Sequence, residues 1–135
     1  FLYHTIVALV LTSSFHFFAL VPLYPHNVDY FYTMWWMSLS TICSMTWHAL
    51  GEPYGILAVM DYTGAVGWFL LEMWMTRQRV LAFVLNMCVF FTNRVISHCS
   101  SYSFYHSLWH VASAVKCVAV AMTFDRVLTT NDYVA

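Results

Sequence analysis

The chain has 135 residues, of which 61% are apolar and only 8% charged, with a formal net charge of −1 and a mean hydropathy of +0.68. A soluble domain carries roughly a quarter charged residues, so this composition argues against a water-soluble globule and for an integral membrane protein of one domain, residues 1–135, with membrane lipids as its surroundings. No clustered basic face is available for nucleic acid.

Crossing a bilayer as a helix takes about 20 apolar residues. The chain offers five such stretches, about 1–23, 30–50, 57–76, 79–97 and 102–124. An all-α polytopic transmembrane bundle of five spans is expected, because lipid offers backbone groups no partners outside the segment itself. The first span ends in a connector with Pro22, Pro25, His26, Asn27 and Asp29, and the sequence opens on Phe1 rather than Met, so any targeting segment would be invisible in it. The second and third spans are joined through Gly51, Glu52, Pro53 and Gly55, the third and fourth through Thr76-Arg77-Gln78-Arg79, and the fourth and fifth through Ser97-His98-Cys99-Ser100-Ser101. Asp125-Arg126 closes the last span. Cys43, Cys88, Cys99 and Cys117 show no CxxC spacing, and no disulfide framework is expected.

Five antiparallel spans place the 2–3 and 4–5 connectors on the side of the first residue and the other two opposite. Arg77, Arg79 and Arg126 then fall on the opposite side against Arg94 on the first, which favours the opposite side as the positive, inner one.

Ionisable groups inside apolar spans are costly and mark a functional site or a specific pairing by default. Ser44 and His48 stand four apart at the end of the second span, on one helix face. Asp61 opens the third span across the connector, and His106 and His110 stand four apart at the start of the fifth. Three histidines, a carboxylate and a hydroxyl from three helices are thus expected at one depth on one side. Three neutral imidazoles with a fourth position open suit a catalytic zinc ion, held by His48, His106 and His110. Asp61 is placed to take a proton from water and Ser44 to donate a hydrogen bond to an oxyanion. A lipid ester or amide is the expected substrate class, because this depth is where acyl chains meet headgroups.

The same residues carry a resemblance. Ser44-Met45-Thr46-Trp47-His48, Asp61-Tyr62 and His106-Ser107-Leu108-Trp109-His110 resemble, in order, the S-x3-H, D and H-x3-H pattern of the CREST superfamily, which includes alkaline ceramidases, the GPI-lipid remodelling proteins and the myomaker-like family. Phe31-Tyr32-Thr33-Met34, His48-Ala49 followed by Pro53, and Tyr105-His106-Ser107 are most similar to the myomaker-like branch. The resemblance implies a zinc-dependent lipid hydrolase of the endomembranes, or a structural derivative of one, shortened from the superfamily's seven spans to five. His48-Ala49 with Val59-Met60-Asp61-Tyr62 also resembles the anchor subunits of succinate dehydrogenase. That alternative implies haem b on His48, a quinone near Asp61-Tyr62, and a place among other membrane subunits in the mitochondrial inner membrane. A purely structural accessory subunit is the third reading.

Two further features follow from helix geometry. Glu72 lies eleven residues beyond Asp61 and Lys116 ten beyond His106. At 1.5 Å per residue both sit about 15–16 Å below the histidine cluster, so they are expected to pair. Gly64 and Gly67 are expected to admit a neighbouring helix, and His4, His16, His26 and His98, without a partner four residues away, are set aside as ligands.

Overall fold

The computed structural model describes residues 2–26, 30–98 and 100–124. Asn27, Asp29, Cys99, Asp125 and Arg126, and the side chain of His26, lie outside the described residues. All regular structure among the described residues is helical: α1 (Leu2–Ser14), a 3₁₀ continuation of α1 (Phe15–His26), α2 (Phe31–Ala49), α3 (Ile56–Met75), α4 (Arg79–Ile96) and α5 (Tyr102–Ala121). These bounds fall within a few residues of the expected spans.

Among the described residues, three segments are long and apolar enough to cross a membrane: His4–Tyr24, Ile56–Met75 and Arg79–Ile96, with mean hydropathies of 2.1, 1.3 and 1.5. α2 and α5, at 19 and 20 residues, have the length but fall short in apolarity. The reason lies in their inward faces. α2 buries Thr33, Ser40, Thr41 and His48, and α5 buries His106, His110, Ser113 and Lys116.

The first segment departs from the single α-helix expected over 1–23. Thr12 and Ser14 donate their hydroxyls to the carbonyls of Ala8 (2.8 Å) and Leu11 (2.6 Å), and His16 Nδ1 takes the Ser13 carbonyl at 2.9 Å. Side chains therefore compete for the carbonyls of the last α turn, and Pro22 lacks the N–H a regular ladder needs. Beyond Ser14 the chain winds with three residues per turn, so positions three apart eclipse. Ser13, His16 and Ala19 form one row, and this stretch packs more extensively against α5 than against any other element.

α2 packs on α3 and α1, and α4 on α5 and α3. The α2–α3 approach is close because Gly64 and Gly67 carry no Cβ: one built on Gly64 would lie 2.6 Å from Ser40 Oγ, and one on Gly67 would collide with the Trp36 ring. Trp36 Nε1 donates to the Gly64 carbonyl at 3.3 Å. An apolar core of Ala19, Leu23, Tyr30, Met37, Trp68, Cys117 and Ala121 fills the half of the bundle away from the 51–55 connector. At that far end the Thr76 and Thr123 hydroxyls share a hydrogen bond at 2.5 Å, and Thr76 pairs with Phe124 in an isolated bridge. Cys43, Cys88 and Cys117 are free thiols.

The expected mid-depth pair is present. Lys116 Nζ lies 2.8 Å from both Glu72 oxygens and donates to Asn86 Oδ1 at 3.0 Å, while Asn86 Nδ2 donates to Glu72 Oε2 at 2.6 Å. All three ammonium protons thus have acceptors, and Glu72 is wholly buried.

Candidate metal centre

The last turn of α2 and the first turns of α5 build the cluster. One nitrogen from each of His48, His106 and His110 lies within 4.8 Å of the others, and all three residues are buried. His48 Nε2 and His110 Nε2 stand 2.9 Å apart. Ring centroids are separated by 5.3 Å (His48–His106), 4.8 Å (His48–His110) and 4.6 Å (His106–His110). The helix backbones do not produce this closeness, since α2 and α5 are not among the closely packed pairs. The imidazoles reach toward one another across a cavity.

The donor set fits a metal ion. The His48 Nδ1 proton is committed to Glu52 Oε1 at 2.9 Å, so Nε2 carries the lone pair that faces His110. A carboxylate behind a histidine is the arrangement that fixes tautomer and ring orientation at metal sites. In a tetrahedral site with bonds of 2.0–2.1 Å, ligand nitrogens stand about 3.3 Å apart. The His48–His110 pair is already near that separation, and the widest pair closes by at most about 1.5 Å. His48 and His110 turn their Nε2 atoms on one another at 2.9 Å, and three buried imidazoles share one pocket with few protons between them. Such a set is costly to bury unless it is held to a purpose. Three nitrogen donors suit zinc and its neighbours in the transition series.

Ser44 and Asp61 join the same cavity, of about 480 Å³, which is also lined by all three histidines. The Ser44 hydroxyl and His48 both act on the Asp61 carboxylate. All five residues singled out in the sequence therefore lie around one space. Val66, Phe69, Met87 and Phe90 make its apolar walls, and Asn86 and Lys116 line it too.

Four neighbours lie outside the set of site residues singled out in the sequence. Glu52 sits in the connector, where a carboxylate reads as a water-seeking group. Burial raises its carboxyl, but the hydrogen bond from His48, the fields of His48 and His106 and the Tyr102 hydroxyl outweigh this and hold it below the ordinary carboxylate value. Tyr102 and Trp109 stack on the two faces of His106, with centroids 4.8 and 5.2 Å away, and a search for aromatics four before and three after each histidine would have found them. Trp109 Nε1 donates to the Val89 carbonyl at 2.8 Å, which ties this stack to α4. His16, set aside in the sequence, lines the cavity and lies edge-on to His110, with centroids 5.8 Å apart. Its Nδ1 donates to the Ser13 carbonyl, so its Nε2 accepts from Ser113 Oγ at 3.1 Å.

No family model matches the chain, and neither curated proteins nor solved structures give a match.

Proposed function

We propose that this protein is a CREST-like integral membrane protein of five spans, in which His48, His106 and His110 hold a zinc ion and the cavity receives a lipid amide or ester for hydrolysis. The observation that carries this reading is the convergence of three buried imidazoles from two helices that do not otherwise pack closely. A bound zinc ion supplies a Lewis acid that activates water near neutral pH and polarises an acyl carbonyl. The chain's own groups do the rest. Asp61 takes the proton of the attacking water and returns it to the departing amine or alcohol. Ser44 steadies the Asp61 carboxylate with its single hydroxyl proton, and once Asp61 has taken the proton of water that hydroxyl turns to the carbonyl oxygen where charge develops. Glu52 keeps His48 in the required tautomer. The apolar walls accept the acyl chain and exclude bulk water, and a volume of about 480 Å³ falls in the usual range of small-molecule sites.

Five spans follow from the same reading. α2 and α5 fall short in overall apolarity because their polar faces turn inward to the site, while α1, α3 and α4 meet the lipid. The endomembranes of the cell are the compartment this reading assigns.

Elemental analysis of the purified full chain is the direct test, with about one zinc per chain expected and its loss on His110→Ala. Release of fatty acid from a ceramide or a phospholipid ester, abolished by Asp61→Asn with zinc content retained, supports hydrolysis. Zinc without release supports the metal site and sinks the enzyme, and a Soret band in place of zinc sinks both.

A further inference from the structure

The connector between α2 and α3 contains a conformational oddity beside the metal site. Glu52 has φ +59°, in the left-handed region that non-glycine residues seldom occupy. It is flanked by Gly51 at φ +78° and Gly55 at φ +135°. Neither glycine is forced by crowding, because a Cβ at either position would meet nothing within 4 Å. A third glycine at position 52 would suit this backbone better than glutamate. Strain of this kind persists where the surroundings fix it, and it gathers at functional sites.

What fixes it is the carboxylate. Glu52 Oε1 is 2.9 Å from His48 Nδ1 in a half-buried ion pair or hydrogen bond, and the Tyr102 hydroxyl acts on the same carboxylate. The Glu52 backbone N–H donates to the Trp47 carbonyl at 3.0 Å, and Trp47 Nε1 donates to the Pro53 carbonyl at 3.0 Å, so the turn folds back on the end of α2. Tyr102 in turn stacks on His106. One carboxylate therefore reaches two of the three imidazoles, one directly and one through a tyrosine, and these two belong to helices that are not closely packed together. Among the three, only His48 has a side-chain partner on its second nitrogen, since Nδ1 of His106 and of His110 has none.

Resting on the metal reading above, we propose that Glu52 is a positioning residue for the metal centre. It is held in a strained turn so that its carboxylate fixes the His48 tautomer and, with Tyr102, clasps α2 to α5 at the mouth of the site. Such partners behind a ligand alter metal affinity about 10–100-fold. The backbone offers a way to separate this role from a structural one: Glu52→Gly removes the carboxylate and relieves the left-handed strain together. If Glu52 serves stability, this variant loses stability. If it serves the site, the metal-free variant keeps its thermal midpoint while the site weakens.

The experiment titrates the purified full chain in detergent with Co(II), following the visible ligand-field bands, and records thermal unfolding of the metal-free forms. Wild type is expected to give a tetrahedral-type spectrum. Glu52→Gly is expected to bind about 10–100-fold more weakly with a shifted band envelope, its metal-free midpoint held at or above that of Glu52→Ala. Glu52→Gln, which keeps an oxygen that accepts the Nδ1 proton, recovers part of the affinity, and Tyr102→Phe loses less than Glu52→Gly. Wild-type affinity and spectrum in Glu52→Gly, with Co(II) bound by wild type, overturn the positioning role and leave the metal site standing. No Co(II) binding by wild type overturns both.

Discussion

α4 and α5 are neighbours of nearly equal length, 18 and 20 residues, and they are built on opposite plans. α4 buries only Ala82, and its most apolar window is 6% buried, so it turns Val80, Phe83, Val84 and Phe91 outward. α5 buries eight residues, among them His106, His110, Ser113 and Lys116, and does not reach the apolarity of a spanning segment by itself. In water the apolar face of a helix seeks the core. In lipid both environments are apolar, and helices associate through small-residue packing and polar contacts. The more hydrophobic helix is therefore left outside, and the polar one is enclosed.

The largest break in this contrast is expected at the charged floor of the cavity. Lys116→Leu leaves Glu72 buried with Asn86 alone, and losing one partner of a buried pair costs about 3–5 kcal/mol. The double replacement Glu72→Leu with Lys116→Leu removes the orphan and restores most of that loss, because a well-packed apolar pair is often as stable as the ion pair it replaces. Thermal unfolding in a constant detergent measures both, and a double variant no more stable than Lys116→Leu would show that the pair is not the source of the loss.

A middle-sized effect is expected where α2 and α3 touch. Gly64→Ala introduces a Cβ 2.6 Å from Ser40 Oγ, 3.0 Å from Ser40 Cβ and 3.3 Å from Ser40 Cα. The hydroxyl can rotate away, but the Cβ and the α2 backbone cannot, so the helices must part slightly. Overpacking of this kind costs about 1–3 kcal/mol. Gly64→Ala combined with Ser40→Gly should recover most of it, and no recovery would place the cost elsewhere.

Much of this architecture is legible in the amino-acid sequence, for identifiable reasons. Helix periodicity puts Ser44 with His48 and His106 with His110, short connectors set those turns at one end of the bundle, and counting residues matches Glu72 to Lys116. All three steps need only a regular rise per residue. Contacts between distant helices are beyond such counting. His16 has no partner four residues away, yet it meets Ser113 and lies edge-on to His110 across the bundle. Glu52 is hidden differently: a carboxylate in a polar turn looks like a solvated group, and only its left-handed backbone and its bond to His48 reveal the contrary. α2 and α5 stay below the apolarity of a spanning segment because the residues that lower it are the ones they enclose.

The smallest expected effect tests the outside of the same contrast. Phe91 is 61% exposed on α4, one of the segments long and apolar enough to cross a membrane. Shortening it with Phe91→Leu removes contacts to lipid or detergent, and fluid chains close over the space at once, with no cavity left behind. The change should therefore stay within about 0.5 kcal/mol, the range of substitutions away from packed or polar features. The equal and opposite control is Ala114→Leu on α5, a buried position where added volume has nowhere to go and costs about 1–3 kcal/mol. If Phe91→Leu costs as much as Ala114→Leu, α4 is covered by protein and not by lipid, and the division of the bundle into an apolar outer helix and a polar inner one does not hold.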